Sequence, residues 1–295
     1  MTSPKYAQDV PGKGRWYVHP QTGEMWPSVT NVLDMSVAKQ HQLMPWAVKI
    51  TAEMAMELLP RIVAASLIRP CKPKRVADEC RKCRDCLVKQ IKRGYRDARD
   101  TAADLGTRIH KVAEHRVLGV DYIPDPEVEP FVDQLFRFFD DFAVDITKDV
   151  VATEATVVNR KIGYAGTGDL WLNLRVDGWP RKRLCLIDYK SSATKPALTA
   201  YPEQGMQLAA LANGETVLLP DGTEIEAPGP IHQVFVLALR ADSYALIPMP
   251  MQGSLDQAFT AFRGALPNAT YLHSQYGAKP TAAIPVQPKT TRKAS

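Results

Sequence analysis

A chain of 295 residues, 45% hydrophobic and 23% charged, can bury one sizeable core and has the composition of a globular protein. No run of 18 apolar residues and no apolar leader occurs, which excludes a membrane span and sets a cytoplasmic location (host cytoplasm for a viral protein) as the expectation. An odd count of five cysteines argues against a secreted disulfide framework, and the net charge of +5 is unevenly spread: Arg69 to Arg99 holds twelve Lys/Arg against four Asp/Glu, a balance of +8, leaving about −3 for the rest.

In chain order, residues 1–14 read as disordered. Arg15 to Pro20 followed by Gln21-Thr22-Gly23-Glu24 predicts a short hairpin with a Thr-Gly turn. Ser28 can N-cap a short helix through Leu33. A second helix is expected over Ala38–Leu59, with Pro45 near a first turn or at a break and Trp46, Val48, Ile50, Met54 and Leu58 among its apolar residues, the aromatic and Met positions reading as core. Together these make an N-terminal unit over 15–66.

Residues 67–100 form a basic insert with Cys71, Cys80, Cys83 and Cys86 spaced C-x8-C-x2-C-x2-C. Four thiols so close together point to a metal. A [4Fe–4S] cluster, in which each thiolate binds its own iron, and a Zn²⁺ held by four thiolates both fit the spacing. Arg81, Lys82, Arg84, Lys89, Lys92 and Arg93 lie among or just after these cysteines and are candidates for contact with a phosphate backbone, the alternative being a solvated helical face.

A long helix is expected from Leu87 to Leu118, containing Gly106-Thr107-Arg108-Ile109-His110. A glycine inside a helix costs about 1 kcal/mol relative to alanine, so Gly106 suggests close approach of another backbone. His110 is either a satisfied buried histidine or a metal or phosphate ligand. Pro126–Asp145 reads as an amphipathic core helix, and Val150–Asn159 as an alternating strand with Glu154 among apolar neighbours.

The chain is organised around Gly163–Lys190. Tyr164–Leu174 carries β-formers behind Gly166-Thr167-Gly168-Asp169, Asp177-Gly178 marks a turn, and Leu184–Ile187 is an apolar strand ending in Asp188-Tyr189-Lys190. Residues 188 and 190 face the same side of a strand. With Asp169 on the adjacent strand, two carboxylates and one lysine converge, an arrangement suited to a divalent cation and to phosphodiester hydrolysis. A surface hairpin with solvated charges is the bland alternative. A helix over Leu198–Asn213 follows, with Tyr201, Gln204 and Gln207 near one face. Next come a peripheral hairpin over Val217–Ile225, strands at Val234–Leu239 and Tyr244–Met249, a closing helix over Leu255–Leu266, and a disordered basic tail over 269–295.

Gly-Thr-x-x-His on a helix, a Glu on a strand, Gly-x-x-Asp, Asp-x-Lys and a Gln-bearing helix, in this order, resemble the PD-(D/E)XK nuclease superfamily and its RecB-like exonuclease branch, which includes the small CRISPR-associated adaptation nuclease and its phage relatives. Pro27-Ser28-Val29-Thr30-x-Val32-Leu33 with Trp46 is similar to the phage and mitochondrial members. The resemblance covers about residues 15–265. It implies an α/β fold with a mixed central sheet flanked by helices, a nuclease core over 101–268, and a Mg²⁺- or Mn²⁺-dependent deoxyribonuclease, more an exonuclease, acting in replication, recombination or repair. His110, Asp169 and Asp188 are the implied ligands of that cation. Lys190 positions the attacking water, Gln207 supports the site or contacts DNA, Tyr201 lies beside that motif, and Glu154 supports. In the matching family motif a Tyr stands four residues after the Gln; here that position is Leu211. Family members with a four-cysteine cluster carry one cysteine before the core and three after it, whereas here all four precede it, so iron–sulfur and zinc both stay open. DNA, including single-stranded ends, is the expected partner, beside a recombination or replication protein. Three rivals remain: a nuclease-fold DNA-binding module without turnover, a structure-specific endonuclease, and a metal-cluster redox protein without nuclease activity.

Overall fold

The computed structural model describes residues 5–37, 40–65, 67–72, 75–76 and 79–276. Strands β1 (Ala7–Val10), β2 (Gly14–Val18) and β3 (Met25–Pro27) form a small antiparallel sheet in that order. The β2–β3 turn closes where the His19 N–H donates to Glu24 O (2.8 Å) and the Gly23 N–H to His19 O (2.9 Å). Gly23 sits at φ +71°, a conformation glycine adopts without penalty. Disorder over 1–14 is corrected for residues 5–14. β1 pairs with β2, and Tyr6 is buried with its hydroxyl donating to Leu219 O (2.6 Å). Cross-strand pairing rather than local hydrophobicity orders this stretch.

Helix α1 (Val29–Ser36) starts as expected: Ser28 Oγ accepts the Asn31 N–H at 3.0 Å, and Val29, Val32 and Leu33 are buried. Helices α2 (Gln40–Glu57) and α3 (Leu59–Ala65) follow, with Pro45 inside α2. Val48 is 63% exposed, because the face of α2 turned inward carries Trp46, Ile50 and Met54, followed by Leu58 just past the helix end. That face meets α4 (Arg84–Leu118), where Trp46 packs edge-on to Tyr95 with centroids 5.2 Å apart. The close approach of helices falls at Gly94, where an added Cβ would lie 2.5 Å from Met54 Sδ. Gly106, expected to fill that role, meets only Ser191 Oγ at 3.6 Å, an ordinary contact. Helix α4 also runs unbroken across residues 100 and 101.

Helices α5 (Glu129–Asp141) and α6 (Ile146–Asp149) lead into a seven-stranded sheet. Its strands are β4 (Val150–Asn159), β5 (Tyr164–Leu174), β6 (Arg183–Ser191), β7 (Thr216–Leu218), β8 (Glu224–Glu226), β9 (Gln233–Leu239) and β10 (Tyr244–Met249), in the order β10-β9-β6-β5-β4-β7-β8. Among the described strands only β6 and β9 run parallel, and their connection holds the helix α7 (Pro202–Ala212) followed by β7 and β8. The fold is therefore α/β with a mixed central sheet and helices on both faces. On one face, α4 and α5 bury Ile109, Phe131, Leu135, Phe138 and Phe139 against Leu170, Ile187 and Leu237. On the other, α1, α7 and α8 (Leu255–Gln275) cover Trp171, Leu186 and Val236. Phe138 is fully buried, so Phe138→Ala is expected to cost about 3–5 kcal/mol, read as a lowered denaturant midpoint.

Several boundaries move: α4 begins at Arg84 rather than Leu87, and α5 spans Glu129–Asp141 inside the expected Pro126–Asp145. Helix α7 begins at Pro202 rather than Leu198. Helix α8 continues past Leu266 through Pro267 to Gln275, which corrects the expected tail at 269–275: Ala269 and His273 are buried, and the His273 ring lies 5.6 Å from Trp16. The tail from Lys279 lies outside the described residues.

Arg160 clamps the small sheet to the edge of the large one, bonding Glu224 through Nη1 (2.6 Å) and Nη2 (2.5 Å) and Glu24 through Nε (3.0 Å). Arg160 lowers the Glu224 carboxyl to about 2. A depressed carboxyl stabilises the fold above its unfolded value near 4.5 and loses that contribution as pH falls towards 2. The gap in thermal midpoint between the native chain and Glu224→Gln should therefore narrow from pH 6 to pH 2, and a constant gap would refute the assignment.

Candidate active site

The period-2 alternation of β6 sends Cys185, Ile187 and Tyr189 towards α4 and α5, and Leu186, Asp188 and Lys190 towards the α7 face. Asp188 is 2% exposed. Gln207 of α7 donates from Nε2 to Asp188 Oδ1 at 2.8 Å, and Lys190 Nζ forms an ion pair with Asp188 Oδ2, which makes no well-oriented hydrogen bond. Leu211, one turn after Gln207, packs against β5 at Gly166, where an added Cβ would come within 2.7 Å of Leu211 Cδ2. Gly168 leaves room in the same way for the buried Trp171 ring, into which an added Cβ would run. Gly168→Ala should destabilise by about 1–3 kcal/mol, measured by chemical denaturation.

Asp169 is buried on β5. Its Oδ2 accepts the Tyr189 N–H at 2.5 Å, and its Oδ1 lies 3.4 Å from His110 Nδ1. The same Nδ1 lies 3.5 Å from Glu154 Oε1. His110 comes from α4, and its ring is held edge-on against Tyr189. Glu154 lies on β4 between Thr153 and Ala155, which pair with Leu170 and Gly168 of β5, and has φ +47°. A left-handed conformation costs a non-glycine residue about 1–2 kcal/mol, and such strain concentrates at sites where a side chain has to be aimed. Glu154 Oε1 is buried without a hydrogen-bond partner.

Electrostatics divides these groups. Burial pushes the Asp188 carboxyl up, and Asp169 adds to the push despite Lys190. Burial also raises Glu154, to about 7. Burial acts on Asp169 in the same sense, but His110 and Lys190 outweigh it and leave Asp169 lowered. Burial opposes charge on His110, and Asp169 and Glu154 override it, so the imidazole is held well above its usual value. For Lys190 burial is likewise overridden, here by Asp188 and Asp169, and the ammonium is held up.

The structure thus brings His110, Asp169, Asp188, Lys190, Glu154 and Gln207 to one cleft of about 1010 Å³. The tight ligand group is His110, Glu154 and Asp169, whose donor atoms lie within 4.8 Å of one another. Asp188 turns instead to Lys190 and Gln207. Glu154, only a support on the family resemblance, belongs to the tight ligand group; an acid set among apolar neighbours on an alternating strand is its signal in the sequence. Tyr17, Arg15, Lys111 and Glu114 also line the cleft and carried no motif. Tyr201 stands at the start of α7, where its hydroxyl accepts from Lys195 Nζ at 2.8 Å, and does not line the cleft. Arg240, also unmarked by sequence, is buried behind β6. It donates to Lys190 O (3.0 Å), Leu239 O (2.6 Å), Lys195 O (2.6 Å) and Pro196 O (2.8 Å).

The second cluster lies at the other end of α4. Cys83 caps this helix, Cys86 sits in its first turn, and Cys71 and Cys80 come from the preceding loop. Cys71 Sγ lies 3.2 Å from Cys86 Sγ and 3.7 Å from Cys83 Sγ, and Cys80 Sγ lies 3.8 Å from Cys86 Sγ, a metal-binding arrangement compatible with Zn²⁺ or an iron–sulfur centre. Hydrogen bonds from the backbone around Cys71 and Cys86 bring the Cys83 thiol down to about 6. Arg93 holds Glu79 with two bonds, 2.9 and 2.7 Å, and so fastens the cysteine loop to α4. Arg81, Lys82, Arg84, Lys89 and Lys92 are exposed. Arg84, Lys89 and Lys92 line a second concavity of about 650 Å³ with Cys71 and Lys72. No helix among the described residues is long and apolar enough to cross a membrane. Compared with known proteins, the chain matches no family model and no curated protein.

Proposed function

We propose that the chain is a divalent-cation-dependent deoxyribonuclease with a PD-(D/E)XK-type core of the RecB-like branch, working as an exonuclease in DNA replication, recombination or repair. The observation that carries this reading is the meeting of His110, Glu154, Asp169, Asp188 and Lys190, from four separate elements, in one cleft. The donor set fits one oxygen-rich divalent cation, because three ligand atoms converge and Glu154 Oε1 is buried with no hydrogen-bond partner. An imidazole among carboxylates suits Mn²⁺ as well as Mg²⁺. When bound, such a cation supplies positive charge to the phosphoryl oxygens and acidifies water. The chain's own groups do the rest. Gln207 fixes one oxygen of Asp188 and leaves the other to Lys190, whose ammonium faces the cleft to orient the incoming water and offset charge on the phosphate. Asp169 is locked by the Tyr189 N–H, and Tyr189 also braces the His110 ring. The test is end-labelled linear DNA beside closed circular single-stranded DNA, with Mg²⁺ or Mn²⁺ added. Mononucleotides from the linear form alone support the exonuclease. Intact DNA under every condition overturns the activity, and cut circles move it to an endonuclease.

For the cysteine centre the separations favour Zn²⁺. Four sulfurs about 2.3 Å from one tetrahedral ion lie about 3.8 Å apart, close to the separations seen here. Thiolates that each bind a different iron of a cluster cannot converge so closely. Metal analysis should return about one zinc per chain in a colourless protein, whereas a brown protein with stoichiometric iron would overturn the assignment.

A further inference from the structure

Helix α4 joins the two centres, and one of its faces connects the two concavities. At 100° per residue, Lys89, Lys92, Arg96, Arg99, Ala103, Thr107 and His110 fall in a single stripe. The first four are exposed cations, and Lys89 and Lys92 line the concavity beside the cysteines together with Lys72, Arg84 and one acid, Asp85, so cations outnumber it four to one there. Ala103, Thr107 and His110 line the cleft with the carboxylates. The stripe measures about 32 Å from Lys89 to His110 at 1.5 Å per residue. The acids of this part of the helix, Asp97 and Asp104, lie on a neighbouring row, where Asp104 is taken by Arg108 at 2.9 Å; Asp100, between the rows, pairs with Arg99 at 2.8 Å on the exposed surface. Between Arg99 and His110 the side chains are small: Ala103 is on the stripe and Gly106 beside it. Packing does not demand that glycine, since an added Cβ would meet only Ser191 Oγ at 3.6 Å. A low floor therefore leads from a row of cations to the carboxylates.

We infer that this face of α4 is a track for one strand of single-stranded DNA, with a distal phosphate-binding subsite at Lys72, Arg84, Lys89 and Lys92 beside the cysteine centre and the strand end delivered to the cleft. The cations stand in single file about 5 Å apart, three or four residues at 1.5 Å each. Either backbone of a duplex winds away from a straight row after a few phosphates, whereas a single strand can follow it throughout. The cysteine centre then has a mechanical role in fixing the far end of the track. The delivery of a strand end rests on the nuclease reading, and the distal subsite does not.

The test is fluorescence anisotropy of the full chain with labelled oligothymidylates of graded length and no divalent cation added, the same protein being assayed for cleavage in parallel. Affinity should rise with length until the strand spans both concavities, then level off. The variant K89Q/K92Q/R96Q/R99Q keeps good helix formers and should weaken binding of the long oligomers at least tenfold while sparing the shortest. Its log–log salt dependence should fall by about 3, at about 0.7 per phosphate for single strands. A matching charge removal at Arg137, Lys148, Lys161 and Arg181 should change little. Equal losses at all lengths, an unchanged salt slope, an equal effect of the distant set, or blunt duplex bound as tightly through the same four residues would each overturn the track. Length-dependent binding without cleavage would sink the nuclease reading and leave the track standing. Cleavage insensitive to the four substitutions would do the reverse.

Discussion

Lys190→Ala should lower DNA cleavage about 10³-fold, the scale on which removal of one preorganised electrostatic group acts, and leave DNA affinity within about threefold. The lysine is two residues from Asp188 on the same strand face and is its ion-pair partner. Without the ammonium, a 2% exposed carboxylate keeps only the Gln207 bond and, on the proposed mechanism, the incoming water loses the group that orients it. The two measurements separate chemistry from grip, because the exposed cations of α4 are untouched. Cleavage by the alanine variant at the native rate ends the catalytic assignment of Lys190. Glu154→Gln belongs to the same experiment. As a cation ligand, Glu154 is required at its charge, and the variant should need far more Mn²⁺ for half-maximal cleavage; as a mere support it would leave the cation requirement where it was.

The second large effect is expected at the cysteines. Cys83, the N-cap of α4, and Cys86, in its first turn, are buried, and apparent binding energies for structural zinc sites run to about 10–16 kcal/mol. Cys86→Ser, or stripping with a strong chelator, should lower the thermal midpoint by several degrees and open the cysteine loop to limited proteolysis. The damage has a defined limit. From Ile109 onward α4 is buried against α5 and the sheet, so the candidate carboxylate site should survive while the first turns of the helix fray. A chain whose melting and proteolysis ignore the chelator carries no structural metal there.

The parts of this fold legible in the sequence are those set by local rules. The bounds of β4 to β6 follow from alternating apolar residues and the Asp177-Gly178 turn, and Ser28 announces α1 because an N-cap is a contact within three residues. Asp188 and Lys190 face the same way because a strand has period two. What stayed hidden depends on distant partners. Helix α8 passes Pro267 because Ala269 and His273 find burial beyond it. β1 exists because β2 is beside it. Of the two glycines in α4, Gly94 is the one that a neighbouring helix crowds, which no spacing within the helix reveals. Glu154 showed its charge but not its φ of +47°, and so not the direction in which its carboxylate points.

Arg240 has a bearing on how the molecule comes apart. Its guanidinium is held by four carbonyl oxygens, those of Lys190, Leu239, Lys195 and Pro196, and carbonyls do not titrate. In acid, where the Glu24–Arg160–Glu224 clasp loosens as the Glu224 carboxylate takes up its proton, the knot behind the end of β6 keeps its full complement of bonds. Acid should therefore detach the N-terminal hairpin first, and the amide hydrogens flanking Lys190 should be among the last to exchange.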